Sequence, residues 1–129
     1  MLSKERIRQV VANYFAASRA MDLQAWLAAF AEDAVTHDPV GTPPVKGHHG
    51  LRQFFAGIAE VFETLGITED QVFVSGNGAA VKWTGRGRGK NGLDVTFEGI
   101  DVIEINEQGK IQKLWGYWDL EKLMAELLS

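Results

Sequence analysis

The chain has 129 residues, 46% of them hydrophobic and 23% charged, with a formal net charge of −4 and no cysteine. This length predicts one domain, 1–129, with a core of its own, and the composition is that of a globular rather than a disordered chain. The lack of cysteine excludes disulfides and thiolate chemistry. The acidic charge disfavours nucleic acid as a partner, because a phosphate backbone attracts basic surfaces.

The amino-terminal segment predicts neither export nor membrane attachment. Charged residues occur within residues 1–6, where a signal peptide would need an apolar run. No apolar stretch approaches the length of a membrane span. We therefore expect a cytoplasmic protein without a membrane partner.

Helical periodicity dominates the first half of the chain. Ser3 is suited to cap a first helix, in which apolar residues and Tyr14 recur at helical spacing. A short second helix is expected to begin near Asp22, to carry Phe30 on its inner side and to end at the acidic turn 32–33. After a short strand and a loop, the apolar spacing over 51–65 predicts a third helix.

The second half of the chain changes to the period of strands. Segment 35–38 already predicts a short strand ended by Pro39. Four more strands are predicted at 72–74, 80–86, 93–106 and 111–118, followed by an amphipathic segment at 120–128. Turns rich in glycine and asparagine separate these strands, which predicts hairpins and an antiparallel sheet.

Helices first and strands afterwards predict an α+β fold. We expect three amino-terminal helices to pack on one face of a strongly curved antiparallel sheet, in a cone-shaped domain that encloses an apolar pocket. With a single pocket in a chain of this size, function is expected to lie inside it.

Asp101 lies among apolar residues near the middle of the longest predicted strand. By two-residue alternation it shares a face with Phe97 and Ile103, so a buried carboxyl group is expected, with no Lys or Arg beside it in the strand. Burial without a cation raises the pKa of a carboxyl group and leaves an acid that donates a hydrogen bond at neutral pH. Alternatively, Asp101 only pairs with a backbone group or a tyrosine in the core.

Asp38 and Tyr14 are candidates for the same pocket. Asp38 ends a short strand before a loop rich in glycine and proline, where a carboxylate that stays ionised suits a base. Taken alone, the Asp-Pro pair fits an ordinary turn better than a functional site. Tyr14 is either a core tyrosine or a hydrogen-bond donor on the apolar stripe of the first helix. Two carboxyl groups in different environments suggest separate roles as acid and base.

Two other motifs predict no site. The spacing of His37, His48 and His49 matches no zinc pattern, so no metal is expected. The Gly-Arg run at 85–89 lies beside a hairpin turn of an acidic chain. It is interpreted as an exposed strand end and not as a nucleic-acid contact.

In their order and separation these residues resemble the Δ5-3-ketosteroid isomerases, within the wider NTF2-like and SnoaL-like superfamily. The family's first-helix tyrosine and its Asp-Pro-x-Gly segment are matched by Tyr14 and by 38–41. The prolines and glycine that follow, and the later strands, are matched by Pro43, Pro44, Gly47, 100–102, Gly109, 111–112 and 117–118. The match runs almost from end to end.

The resemblance implies a conical fold, a homodimer and a reaction without a cofactor. Carried over residue by residue, Asp38 abstracts a proton beside the ketone of a steroid-like substrate and returns it farther along the conjugated system. Tyr14 and protonated Asp101 donate hydrogen bonds to the ketone oxygen, which becomes the dienolate oxygen. The partner is then a small hydrophobic ketone.

The resemblance and the strand pattern also indicate which residues contact the substrate. Tyrosines that support the catalytic phenol in some isomerases are matched here by Phe30 and Phe55, so Tyr14 is expected to lack their hydroxyl groups. Alternation places Leu114, Gly116 and Trp118 on one face of the last strand. We expect the substrate to contact Phe30, Phe55, Leu114, Gly116 and Trp118.

Other functions remain open on the sequence. A SnoaL-like polyketide cyclase would use the same base on a different ring system. A non-catalytic module that binds a small hydrophobic ligand would need no acid or base, and this scaffold hosts both kinds of protein. Epoxide hydrolysis is less favoured, because it uses an Asp-Arg-Asp group on this fold and no arginine is found between the inward carboxyl groups.

Overall fold

The computed structural model describes residues 1–128, which form four helices and six strands. The helices are α1 (Lys4–Ala20), α2 (Leu23–Ala28), α3 (Gly47–Val61) and α4 (Leu120–Leu127). The strands are β1 (Phe30–His37), β2 (Val45–Lys46), β3 (Phe62–Ser75), β4 (Gly78–Gly89), β5 (Asp94–Ile105) and β6 (Ile111–Tyr117). None of the helices within residues 1–128 is long and apolar enough to cross a membrane.

Helix α1 follows from its cap and its apolar stripe. The Ser3 side chain accepts a hydrogen bond from the Arg6 amide at 3.1 Å, which satisfies an otherwise unpaired N–H in the first turn. The helix ends where Met21 adopts a left-handed conformation with φ of 49°. Its buried stripe includes Tyr14 and faces the sheet.

The six strands form one mixed sheet in the order β2-β1-β6-β5-β4-β3. This confirms the α+β class, with the helices packed on a curved sheet that is not closed into a barrel. The expectation of an antiparallel sheet holds for every neighbouring pair except β1 and β6, which run parallel. Parallel pairing is possible here because the long connection from β1 to β6 returns the chain to the same end of the sheet.

Two predicted helix ends were wrong. Strand β1 begins at Phe30, where the second helix was expected to continue, because Phe30 pairs with Ile111 of β6 and the Ile111 amide donates to Ala29 O at 2.8 Å. Likewise β3 begins at Phe62, which pairs with Gly89 of β4. In both places pairing with a distant strand overrides an apolar spacing that also fits a helix.

The apolar interior consists of two clusters. The larger lies between α1, α2 and the inner face of the sheet, and the smaller lies under α4 around Phe62 and Val95. Phe97 and Trp118 pack against both clusters. Helix α4 is held at its end by Asn91, whose side-chain amide donates to the Leu127 carbonyl. The space between these clusters is the cavity described below.

Candidate active site

A cavity of about 440 Å³ opens between the sheet and helices α1, α3 and α4. Its walls are mainly apolar and aromatic, and its titratable lining residues are Tyr14, Asp38 and Asp101. No basic side chain lines it within residues 1–128. The two carboxyl groups therefore have no cation to pair with, and charge inside the cavity is costly.

Asp38 and Asp101 are brought together across Gly116 by three adjacent strands. Asp101 of β5 pairs directly with Gly116 of β6. On the other side, β1 runs parallel to β6 up to the pair His37 and Trp115, and the Val40 amide then donates to Gly116 O at 2.8 Å. Asp38 is thereby held over the same glycine.

Gly116 leaves the space in which the carboxyl groups approach each other. A Cβ atom at this position would overlap Asp38 Oδ1 and lie 3.2 Å from Asp101 Oδ1. Any side chain here would displace one or both groups. The predicted acid and the predicted base therefore face each other on the inner surface of the sheet.

Each carboxyl group accepts a hydrogen bond from a different indole. Trp118 Nε1 donates to Asp38 Oδ1 at 2.6 Å, and Trp83 Nε1 donates to Asp101 Oδ1 at 3.0 Å. The surroundings differ in exposure, because Asp101 is 4% exposed whereas Asp38 is half-buried at the cavity wall. These contacts satisfy one oxygen of each group and leave the other available.

Burial raises the pKa of both carboxyl groups. For Asp101 the pKa lies well above its ordinary value, because of desolvation first and the negative charge of Asp38 second, with the Trp83 hydrogen bond acting against the rise. For Asp38 desolvation raises the pKa and the Trp118 hydrogen bond opposes it. When one proton is lost from the pair, Asp38 therefore ionises and Asp101 remains an acid.

Tyr14 completes the polar part of the cavity from α1. Its ring packs edge to face against Phe15 and Phe30, with centroids 5.1 and 5.5 Å away. Desolvation raises the pKa of the phenol well above its ordinary value, the charges of Asp101 and Asp38 add to the rise, and a hydrogen bond from Trp26 opposes it. The phenol thus stays protonated at neutral pH and is a hydrogen-bond donor.

The five residues expected to contact substrate are distributed between the cavity and the layer behind it. Phe55 and Trp118 line the cavity. Phe30 lies behind Tyr14, Leu114 is buried in the core, and Gly116 lies beneath the carboxyl groups. The structure therefore gives Phe30 and Leu114 a packing role behind the wall.

The sequence analysis gave no site role to Trp83 or Trp26. Trp83 lines the cavity and bonds to Asp101, and Trp26 lines it beside Tyr14. A signal was present for Trp83, because glycine inside a strand indicates close approach of another group. Gly99 lies two residues before Asp101, and Trp83 occupies the space above it.

The histidines take no part in this cavity. His48 Nε2 lies 3.0 Å from Phe30 O, and the His37 ring stacks on Trp115. Within residues 1–128 no three His, Cys, Asp or Glu side chains converge as a metal site would require. In this cavity Asp38 can act as an ionised proton acceptor, while neutral Asp101 and Tyr14 can donate hydrogen bonds to a reacting oxygen.

Comparison with known proteins places the chain in a family. The sequence profile of the SnoaL-like domain matches residues 11–114, most of the chain. The chain therefore belongs to the SnoaL-like family.

Solved structures share its NTF2-like fold. An NTF2-like protein of unknown function from Burkholderia pseudomallei is 21% identical with a TM-score of 0.87, covering 99% of this chain and 100% of that one. TerC, crystallised with polyporic acid, is 17% identical with a TM-score of 0.86, covering 96% and 99%. SalBIII, an epoxide hydrolase/cyclase-like enzyme in pyran ring formation of salinomycin, is 23% identical with a TM-score of 0.84, covering 94% and 96%.

The buried acid predicts a stability that depends on pH. Because the folded state raises the pKa of Asp101, its contribution is fully present below the ordinary carboxyl pKa and is lost as the pH rises through the raised value. The loss is about 1.4 kcal/mol per pH unit in that window. Asp101→Asn does not titrate, so the wild type should lose stability relative to this variant as the pH rises. Urea unfolding of both proteins from about pH 4 to pH 8 measures the difference, and parallel curves would contradict a buried acid.

Proposed function

We propose that this protein is a ketosteroid isomerase-like enzyme that moves a C=C bond by intramolecular proton transfer, converting a Δ5- into a Δ4-3-ketosteroid or a similar enone. The observation that carries the proposal is the pair of carboxyl groups facing each other over Gly116, one ionisable and one held as an acid. Unequal carboxyl groups in one cavity are the arrangement that separates base from acid.

The reaction begins at Asp38. Its Oδ1 accepts a hydrogen bond from the Trp118 indole, so Oδ2 is the oxygen available to the substrate. The carboxylate removes a proton from the carbon between the ketone and the double bond, and the C–H electrons form the new C=C bond of a dienolate. The negative charge moves to the former ketone oxygen. The same carboxyl group then returns its proton to the far carbon of the conjugated system, which leaves the α,β-unsaturated ketone.

Tyr14 and Asp101 stabilise the dienolate oxygen in this mechanism. Both line the cavity and are protonated before the substrate arrives, so less water has to reorient as the charge develops. Each such donor contributes on the order of a few kcal/mol to lowering the barrier. The lack of a basic side chain in the cavity lining also favours this role, because a fixed cation would ionise Asp101 and remove its proton.

The cavity favours a neutral, largely apolar guest. Its volume of about 440 Å³ and its aromatic and aliphatic walls suit a fused-ring ketone whose reacting carbonyl oxygen lies near Tyr14 and Asp101. An anionic substrate would meet the Asp38 carboxylate without a compensating cation. Neither a metal nor a cofactor is required for the proton transfer itself.

A second candidate is a SnoaL-like cyclase. The similarity to SalBIII, described as epoxide hydrolase/cyclase-like, favours it, since one base in one apolar cavity also serves ring closure. Epoxide opening by an Asp-Arg-Asp group is not supported, because no arginine lines the cavity within residues 1–128. Rapid conversion of a simple steroid enone would favour the isomerase over the cyclase.

Replacing the base tests the mechanism directly. Asp38→Asn keeps the shape of the side chain and removes the proton acceptor, so kcat for 5-androstene-3,17-dione should fall by about 10²- to 10⁴-fold. The rise in ultraviolet absorbance of the conjugated product measures the rate. Asp33→Asn in β1, the strand just before Asp38, is the matched control, because Asp33 is exposed, lies outside the cavity lining and accepts a hydrogen bond from Gln112. A wild-type protein without activity, or an Asp38→Asn variant with full activity, would reject the proposal.

Replacing the phenol tests the oxyanion donors. Tyr14→Phe retains the ring packing but loses the hydroxyl group, and kcat should fall by about 10²- to 10³-fold with a smaller change in KM. The other tyrosine offers a matched control, since Tyr117 is 53% exposed on the opposite face of the sheet. Tyr117→Phe should retain wild-type kcat. Equal rates for the two variants would show that the phenol makes no contribution in the transition state.

We also propose that two copies associate through the outer face of the sheet. Large apolar side chains exposed on this face are Phe73, Ile100, Val102 and Tyr117. Strand register makes them continuous, because Phe73 pairs with Ala80, Ala80 with Val102, and Val102 with Trp115. A contiguous apolar row facing solvent is typical of a surface that a second protein covers.

Dimerisation is tested by placing a charge in this row. Val102→Lys should convert a dimer into a monomer, because a lysine at the centre of an apolar interface would be buried without a partner. Sedimentation velocity over a range of concentrations measures the change. Val40→Lys is the control, since Val40 is similarly exposed but lies in the loop after β1. A wild-type monomer at every concentration would contradict the proposal.

A further inference from the structure

Trp83 makes the one hydrogen bond to the Asp101 side chain found within residues 1–128. Its indole Nε1 donates to Asp101 Oδ1 at 3.0 Å, and the two side chains are 3% and 4% exposed. A hydrogen bond between two groups so deeply buried is not exchanged for one to water. It therefore restricts the orientation of the carboxyl group more strongly than a surface contact would.

The backbone is shaped to allow this contact. Trp83 of β4 pairs with Gly99 of β5, and Val81 pairs with Asp101, so Trp83 lies diagonally across from the carboxyl group. A Cβ atom at Gly99 would lie 2.6 Å from Trp83 Cζ2, which shows that the indole crosses the bare glycine to reach Asp101. Phe97 packs edge to face on the indole at 5.5 Å and holds it in that position.

An indole nitrogen can only donate, and this biases which carboxyl oxygen carries the proton. In neutral Asp101 the carbonyl oxygen is a stronger acceptor than the hydroxyl oxygen, so the indole N–H at Oδ1 favours the acid proton on Oδ2. Oδ2 has no hydrogen-bond partner within residues 1–128, whereas every fully buried side-chain oxygen described there has one. Oδ2 therefore reaches the cavity surface, which Asp101 helps to line.

We propose that Trp83 is a positioning residue that keeps the acid proton of Asp101 on the oxygen facing the bound substrate. The inference rests on the proposed isomerase mechanism for its consequence in catalysis. The hydrogen bond itself can be tested without any substrate. Without the indole N–H the carboxyl group can rotate or carry its proton on either oxygen, and only one of these arrangements points the proton into the cavity.

The test replaces the indole by a ring without a donor. Trp83→Phe should lower kcat for 5-androstene-3,17-dione by about tenfold, the equivalent of one lost hydrogen bond, and change KM less. The carboxyl carbon of Asp101, followed by NMR, should also titrate at a higher pH in this variant, because the indole N–H holds the pKa below the value that desolvation alone would give. Asp38 and Tyr14, the other titratable groups at the cavity, are followed in the same spectra.

Trp115→Phe is the matched control for the loss of an indole. Trp115 lies on the outer side of the sheet, where it stacks on His37, and the change should leave both kcat and the Asp101 titration as in the wild type. A merely structural role for Trp83 predicts a lower melting temperature and a higher KM with an unchanged Asp101 titration. That outcome, or a titration moved to lower pH, would overturn the proposal.

The hydrogen bond can also be tested by NMR on the wild-type protein, so this test does not depend on whether a variant folds. The four tryptophans give four indole N–H signals, and the Trp83 signal should shift with the midpoint at which Asp101 titrates. An indole signal that is insensitive to Asp101 would also overturn the proposal. If the wild type has no isomerase activity, the proposed function fails, while the two titrations still decide whether Trp83 orients Asp101.

Discussion

Two carboxyl groups share an apolar cavity that contains no basic side chain within residues 1–128, and they face each other across the bare backbone of Gly116. Desolvation and mutual repulsion then oppose the ionisation of both at once. The half-buried Asp38, with a short bond to Trp118, takes the charge, and the deeply buried Asp101 keeps its proton. The two carboxyl groups therefore differ in protonation because they differ in burial and in surroundings.

The sheet creates this constraint through its strand order. Because β6 lies between β1 and β5, residues distant in sequence, Asp38 and Asp101, become neighbours of one glycine. The same sheet places the two indoles that donate to these carboxyl groups: Trp83 lies in β4, and Trp118 directly follows β6. Helix α1 contributes only the phenol. The polar end of the cavity is thus built mainly on paired strands, which hold side chains more rigidly than loops do.

The sequence allowed the α+β class, the existence of the main helices and the inner face of Asp101 to be predicted, because these depend on local periodicity. It did not predict the early start of β1 at Phe30 or of β3 at Phe62, where pairing with β6 and β4 decides the backbone. The parallel pairing of β1 with β6 has no local signal. Trp118 donates to a carboxylate 80 residues away, and no pattern along the chain records such a contact.

Three glycines on the inner surface of the sheet leave space for neighbouring side chains, because they have no Cβ atom. At Gly85, Gly99 and Gly116 a methyl group would collide with the Phe97 ring, the Trp83 ring and the Asp38 carboxyl group, respectively. Each ring or acid therefore lies in a recess in the main chain. An engineer who wished to admit a bulkier guest would gain more by trimming a ring over one of these recesses than by altering the rim. Any residue other than glycine at position 85 or 116 would require its neighbouring side chain to be redesigned with it, whereas at position 99 the backbone oxygen of Tyr117 also lies 2.6 Å from the Cβ position.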